Sequence, residues 1–160
     1  MIFQRINGGD AEKVFAIFYN VQGSTITANY AARLDTGTFD GVRITQPTTA
    51  TLSLYVGQAN TSILDSTYGL VQIYGYRGSA FVTQDTSQAI AAGDILIPVN
   101  SASHLARSAA SDGKTGYIVI GESFGTATTV AAASKKCFIR AMAFALAVAL
   151  PASVFVQRLM

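Results

Sequence analysis

Nucleophiles, bases and metal ligands are few in this chain, and their counts close off much chemistry. Its 160 residues hold one histidine, His104, and one cysteine, Cys137, which leaves no site built on two imidazoles and no internal disulfide. G-E-S-F-G, Gly121 to Gly125, has the G-x-S-x-G spacing that lifts a serine hydroxyl out of a sharp turn, and it follows the strand-like Y-I-V-I. Its partners are missing: no acid follows Glu122, and His104 comes before Ser123. S-A-A-S-D-G-K-T ends on Gly113-Lys114-Thr115 like a phosphate-cradling loop. However, Ser108 stands where the first glycine belongs, no apolar strand precedes it, and Asp112 would set a carboxylate beside the phosphates. The stretch reads instead as a hairpin turn, Asp112-Gly113, between H-L-A-R-S-A and Y-I-V-I-G. Scattered carboxylates give no ligand spacing for zinc or calcium. Cys137 follows two lysines that would lower its thiol pKa, but as a strand residue it is expected to be a small core side chain. His104, within the polar S-A-S-H-L-A, is expected in a loop.

Asp35-Thr36-Gly37, in R-L-D-T-G-T-F-D-G, is the tripeptide of aspartic proteases. A chain this short resembles the retroviral type, in which two copies each lend one aspartate and the pair shares a proton. Val119-Ile120-Gly121 is similar to that family's later apolar-apolar-Gly segment. The resemblance implies a homodimeric protease using Asp35. Against it stand Arg33 in the strand before the aspartate, Thr38 in place of a small residue, and the lack of a Gly-rich flap. D-T-G also suits a turn closed by the Asp side chain. The tyrosines of Y-G-L-V-Q-I-Y-G-Y could stack on bases or sugars; with Arg77 the basic residue near them, they are expected to pack within a sheet.

The elements that must position these residues repeat with period two. K-V-F-A-I-F-Y-N-V sets Phe15, Ile17, Tyr19 and Val21 on one face and Val14, Ala16 and Phe18 on the other. Gln22-Gly23 then turns the chain into S-T-I-T-A-N-Y. T-L-S-L-Y-V, with Leu52, Leu54 and Val56 inward, Y-G-L-V-Q-I-Y-G-Y, S-A-F-V-T, D-I-L-I-P-V and G-Y-I-V-I-G-E follow as short β-branched and aromatic segments. Gly93-Asp94 marks another tight turn, and residues 57 to 67 and 123 to 136 read as loops. These signals predict an all-β fold: a single-domain β-sandwich or β-barrel of short antiparallel strands, spanning residues 1–160 behind an N-terminal arm at 1–12.

Charged residues are 12% of the chain and apolar types 50%, against about 25% charged in an average globular protein. A surface so poor in charge is easily desolvated, which favours an oligomer or a member of an assembly. A net charge of +2 gives no case for nucleic acid. The N-terminal stretch has no apolar core of signal-peptide length, so synthesis in the cytoplasm is expected.

A-M-A-F-A-L-A-V-A-L, residues 141 to 150, alternates alanine with bulk. A helix would scatter Met142, Phe144, Leu146, Val148 and Leu150 around its circumference; a strand gathers them on one face and leaves Ala141, Ala143, Ala145, Ala147 and Ala149 on the other. The expectation is a long apolar C-terminal strand from Phe138 to Leu150, roughly 40 Å at ~3.3 Å per residue, followed by a tail to residue 160. Its alanine face would lie against a second sheet or a neighbouring subunit. The charge-free run is short for a membrane helix and is interrupted by Pro151, so no membrane partner is expected.

Y-G-L-V-Q-I-Y-G-Y-R-G-S-A-F-V, followed by S-Q-A-I-A-A-G-D-I-L-I-P-V, L-A-R-S-A-A-S-D-G-K-T-G, I-G-E-S-F and K-K-C-F-I-R-A, resembles the capsid decoration (cement) proteins of tailed bacteriophages. The likeness runs from about Val14 to Ala141 and does not reach the tail. It implies a small β-rich structural protein made in the host cytoplasm, seated on the outer face of the virion's icosahedral shell and bound to the major capsid protein. That protein stiffens the shell, often as a homotrimer, and has no cofactor and no active site.

Overall fold

A computed structural model describes residues 2–3, 12–38, 40–47, 54–83, 89–99, 104–107, 118–123 and 132–141. Among them every regular element is a strand: β1 (Ile2–Phe3), β2 (Lys13–Asn20), β3 (Ala31–Leu34), β4 (Arg43–Thr45), β5 (Tyr55–Ala59), β6 (Tyr68–Val82), β7 (Ile95–Pro98), β8 (Leu105–Arg107), β9 (Ile118–Ile120) and β10 (Ala133–Arg140). The chain is all-β, as its β-branched and aromatic runs require.

The strands lie in the order β1-β2-β4-β3-β5-β6-β10-β9-β7-β8, and two more pairings, β2–β6 and β6–β8, close that row on itself twice. One ring is β2-β4-β3-β5-β6 and the other is β6-β10-β9-β7-β8, with β6 in both. Ring closure satisfies backbone groups that an open sheet would leave at its edges. β6 can serve both rings because it is 15 residues long. The expected separate strands Y-G-L-V-Q-I-Y-G-Y and S-A-F-V-T are its two halves. Each ring encloses an apolar cluster. Val14, Phe18, Ile44, Ala59, Ile63, Val71 and Ile73 fill the first; Val82, Ile90, Leu96, Leu105, Ile118, Ile120 and Cys137 fill the second.

Several expectations are corrected. The pairing is mixed, because β2–β4 and β6–β8 run parallel. Residues 57–59 and 133–136 belong to β5 and β10, not to loops; polar side chains such as Gln58, wholly buried, break the apolar alternation there. In T-L-S-L-Y-V, Leu52 lies outside the described residues; of the rest Tyr55 is inward, 3% exposed, while Leu54 and Val56 are half-buried. S-T-I-T-A-N-Y forms no strand and contributes a single bridge, Ile26 to Ile63. β8 and β9 do not form a hairpin with each other, since β7 lies between them; residues 108–117 lie outside the described set. Part of the expected N-terminal arm, Ile2–Phe3, pairs with β2. The turns at Gly23 and Gly93 are present, both at positive φ. At the second, Asp94 Oδ2 accepts from Ala91 N at 2.8 Å and pairs with Arg107 Nε at 3.1 Å, fastening β8 to the turn before β7.

The long apolar C-terminal strand meets a limit set by β6. β10 runs beside β6 from Ala133↔Val82 to Arg140↔Tyr74. Ala141, in a turn, then donates its N–H to Ile73 O at 2.9 Å. One residue further along, β6 is already taken on that side, because Gln58 and Ala59 of β5 pair with Gln72 and Val71. The opposite side carries β2, with Phe15↔Gln72 and Ala16↔Val71. Both edges of β6 are thus filled at Gln72 and Val71. Residues 142–160 lie outside the described set, and with them Ala143, Ala145, Ala147 and Ala149.

Candidate functional site

Asp35 stands just after β3, and its backbone fixes it before any chemistry does. Its N–H donates to Arg43 O at 2.8 Å, and its Oδ2 accepts from Thr38 N at 3.1 Å. That backbone donor, against an opposing effect of burial and with lesser help from the Gly37 N–H and the Arg33 charge, holds the carboxyl below its ordinary pKa. An ionised aspartate closing its own turn is the geometry D-T-G was expected to give by the turn reading. Arg33, 8% exposed, spends its guanidinium on Gln46 O at 3.1 Å and Leu34 O at 2.7 Å.

Cys137 is core. It is 2% exposed and sits between Arg77 of β6 and Ile120 of β9. Burial, with the Glu122 charge behind it, pushes its thiol up to about 12, so the lysines before it do not activate it. His104 lies outside the strands, directly before β8. Gly121 to Ser123 follow directly on β9: Gly121 N donates to Lys136 O at 2.7 Å, and Glu122 pairs with Lys136 at 3.0 Å. Phe124 and Gly125 lie outside the described residues, as does Ser108 to Thr115. Among the described residues no group of three or more His, Cys, Asp or Glu is placed to hold a metal, and no helix is long and apolar enough to cross a membrane.

Polar side chains converge in the interior around Arg77, 5% exposed. Its Nη1 donates to Gln72 Oε1 at 3.0 Å, and its Nη2 to Ala59 O at 2.8 Å and to Asn29 Oδ1. Ser79 Oγ shares the Asn29 acceptor at 2.8 Å. Burial lowers the Arg77 pKa, and no carboxylate pairs with it among the described residues. The guanidinium thus ties β6 to β5 and to the loop before β3 as a structural clamp.

The tyrosines divide. Tyr74 packs edge-on against Phe138 with centroids 5.1 Å apart, the sheet packing expected of it. Tyr68 is 66% exposed. It lies opposite Tyr19 of β2, which lies opposite Arg43 of β4, so directly paired positions on three strands carry Tyr68, Tyr19 and Arg43 in one row. The two tyrosine rings are 4.9 Å apart and tilted by 58°. With Asp40 and Val42 these residues line a surface groove of about 410 Å³. Asp40 Oδ1 accepts from the N–H groups of Val42 and Arg43 at 2.9 and 3.0 Å. Those backbone donors, first Val42 and then Arg43, hold its pKa down. Its other oxygen pairs with Arg43 Nε at 3.1 Å. The basic residue beside the exposed tyrosine is therefore Arg43, not Arg77. Sequence spacing does not reveal this, because the parallel β2–β4 pairing joins positions 24 residues apart in the chain, Tyr19 and Arg43.

Comparison with protein-family models and with curated proteins returns no match.

Proposed function

We propose that this chain is a structural virion protein that binds the outer surface of a phage capsid and stabilises the shell as a homo-oligomer. The observation that carries the oligomer part is the end of β10. β10 ends at Arg140, beside a strand whose two edges are filled just beyond by β2 and β5, and the sequence that follows Ala141 is charge-free and apolar as far as Arg158. Ala141 itself packs against the second ring's core. An alternating alanine and large apolar segment of this kind is stabilised by burial against protein, at about 25 cal/mol per Å² of apolar surface removed from water. A second copy of the chain supplies that cover in this reading. The shell as partner, and three as the number of copies, rest on the resemblance of the sequence to decoration proteins. Equivalent surfaces on an oligomer would then add avidity from modest individual contacts.

The test has two arms. Sedimentation of the full chain should give a mass above that of the monomer, and a chain ending at Ala141 should sediment as a folded monomer with its β-sheet circular dichroism intact. The full chain should also pellet with shells assembled from the major capsid protein of the same genome, and the shortened one should pellet less. A full-length monomer removes the interface role of the tail; an oligomer that ignores shells removes the capsid role.

A further inference from the structure

We propose that the groove between Tyr19, Tyr68, Asp40 and Arg43 binds a neutral saccharide. It lies at the start of β6, five positions before Ile73, which accepts the Ala141 N–H, and the proposal does not depend on the shell-binding reading. Three observations select the ligand class. First, an aromatic side chain is offered to solvent rather than to the core. Tyr68 is 66% exposed, Val42 beside it 41%, and Ile17 two positions before Tyr19 53%. A ring face carries negative charge density, which attracts the weakly positive C–H bonds on the apolar face of a pyranose.

Second, the polar groups are a donor and an acceptor in one preset pair. Asp40 is fixed by the two backbone N–H groups it caps, and Arg43 is fixed by Asp40. Vicinal hydroxyls need a carboxylate to accept and a guanidinium to donate, and both are held without further ordering cost. Third, the charge is already balanced. The Arg43 cation is met by Asp40 at 3.1 Å, and among the described residues no lysine or second arginine lines the groove. Phosphates, nucleic acids and acidic glycans draw their affinity from uncompensated positive charge, so this site disfavours them. The 58° tilt of the rings also gives no parallel slot for a nucleobase. A volume of about 410 Å³ suits one or two sugar rings at the small end of ligand sites.

The experiment is titration of the full chain with neutral hexose and N-acetylhexosamine oligosaccharides, first on an array and then by saturation-transfer NMR, with sulfated and sialylated oligosaccharides and oligo-dT as comparators. Neutral oligosaccharides should bind. Tyr68→Ala should lose about tenfold or more in affinity, with its urea midpoint unchanged because the side chain is exposed, and Tyr68→Phe should keep most of it. Asp40→Asn, on an exposed turn, should weaken neutral binding and raise binding of the anionic comparators. Binding confined to anionic ligands, no binding of any neutral oligosaccharide, or neutral binding untouched by Tyr68→Ala and Asp40→Asn each overturns the proposal. Loss of shell binding by Tyr68→Ala without any saccharide binding assigns the groove to a protein partner and overturns it too.

Discussion

Arg77 and Gln58 are two buried polar residues in the same region whose substitution should have opposite signs. Arg77 satisfies Gln72, Asn29 and Ala59 from one guanidinium, so Arg77→Ala removes three bonds and strands Gln72 Oε1, while Asn29 Oδ1 keeps Ser79 Oγ and Ala59 O keeps the Asn29 N–H. The expected cost is about 2–3 kcal/mol, since a buried polar group left without a partner costs about 1–3 kcal/mol and the other two acceptors each lose a charge-assisted bond. Arg77→Lys should recover little, because one ammonium cannot reproduce a planar fork that reaches separate elements. Gln58 is fully buried, and neither of its amide atoms has a hydrogen-bond partner among the described residues. Gln58→Met keeps most of the volume and removes two desolvated polar atoms, so it should be neutral or stabilising by up to about 1 kcal/mol. Urea unfolding of the variants measures both signs. A Gln58→Met cost as large as that of Arg77→Ala would show that the amide is bonded. Neither role was legible in the sequence, where Arg77 appeared only as the basic residue near the tyrosines and Gln58 as part of a loop.

At the scale of elements, the sequence announced strands wherever apolar and β-branched residues alternate, and failed where β6 changes phase. Against β10, Ala80 pairs with Lys135 and Arg77 with Cys137, so Gly78 and Ser79 stand opposite Lys136 alone. The buried set passes from Val71, Ile73 and Arg77 to Ala80 and Val82 across that bulge. A second irregularity sets Val14 opposite Tyr74 and Phe15 opposite Gln72, which buries two consecutive residues of β2 that alternation puts on opposite faces. Strand existence is a local property; neighbours and register depend on contacts distant in sequence, and this is why the β8–β9 hairpin was wrongly expected.

Gly75 shows the constraint most sharply. It pairs with Lys13 of β2 on one side and Ile139 of β10 on the other. At φ +100°, a Cβ there would lie 1.9 Å from Glu12 O and 3.1 Å from Lys13 Cα. Gly75→Ala must push backbone apart where both rings meet and should cost about 3 kcal/mol or more. Gly23→Ala, at φ +78° with nothing within 4 Å, should cost only about 1–2 kcal/mol for the left-handed backbone. Equal urea midpoints for the two variants would refute the three-strand junction.

At the scale of the whole molecule, the buried groups set how stability depends on pH. Cys137 is raised from 9.0 to about 12, chiefly by burial, and burial likewise carries Tyr55 well above 10.0. Both are neutral acids in the fold that ionise earlier once the chain unfolds. Their contribution is therefore complete below about pH 9 and is lost as the unfolded chain releases protons the folded chain retains. The slope approaches about 1.4 kcal/mol per pH unit for each group in that window. Lys136, raised by its bond to Glu122, adds a weaker loss above 10.5 because it is exposed. Arg77, lowered by burial, has the opposite sign and softens the alkaline limb at its far end.

On the acid side Asp35, Asp40 and Glu122 are all lowered, so their stabilisation is present at neutral pH and lost as pH falls through their folded values. They sit in solvent, and the loss is shallow and reduced by salt. Stability should thus be nearly flat from weakly acidic pH to about pH 9 and then fall steeply. Cys137→Ala will lower stability at neutral pH by opening a small cavity, but its alkaline limb should be shallower than that of the parent, so the difference between the two narrows as pH rises. Thiol labelling of the parent should likewise proceed only as fast as the chain unfolds. Parallel alkaline limbs, or labelling of the folded chain at the rate of a free thiol, would mean that Cys137 is open to water and that the second ring is not closed around it.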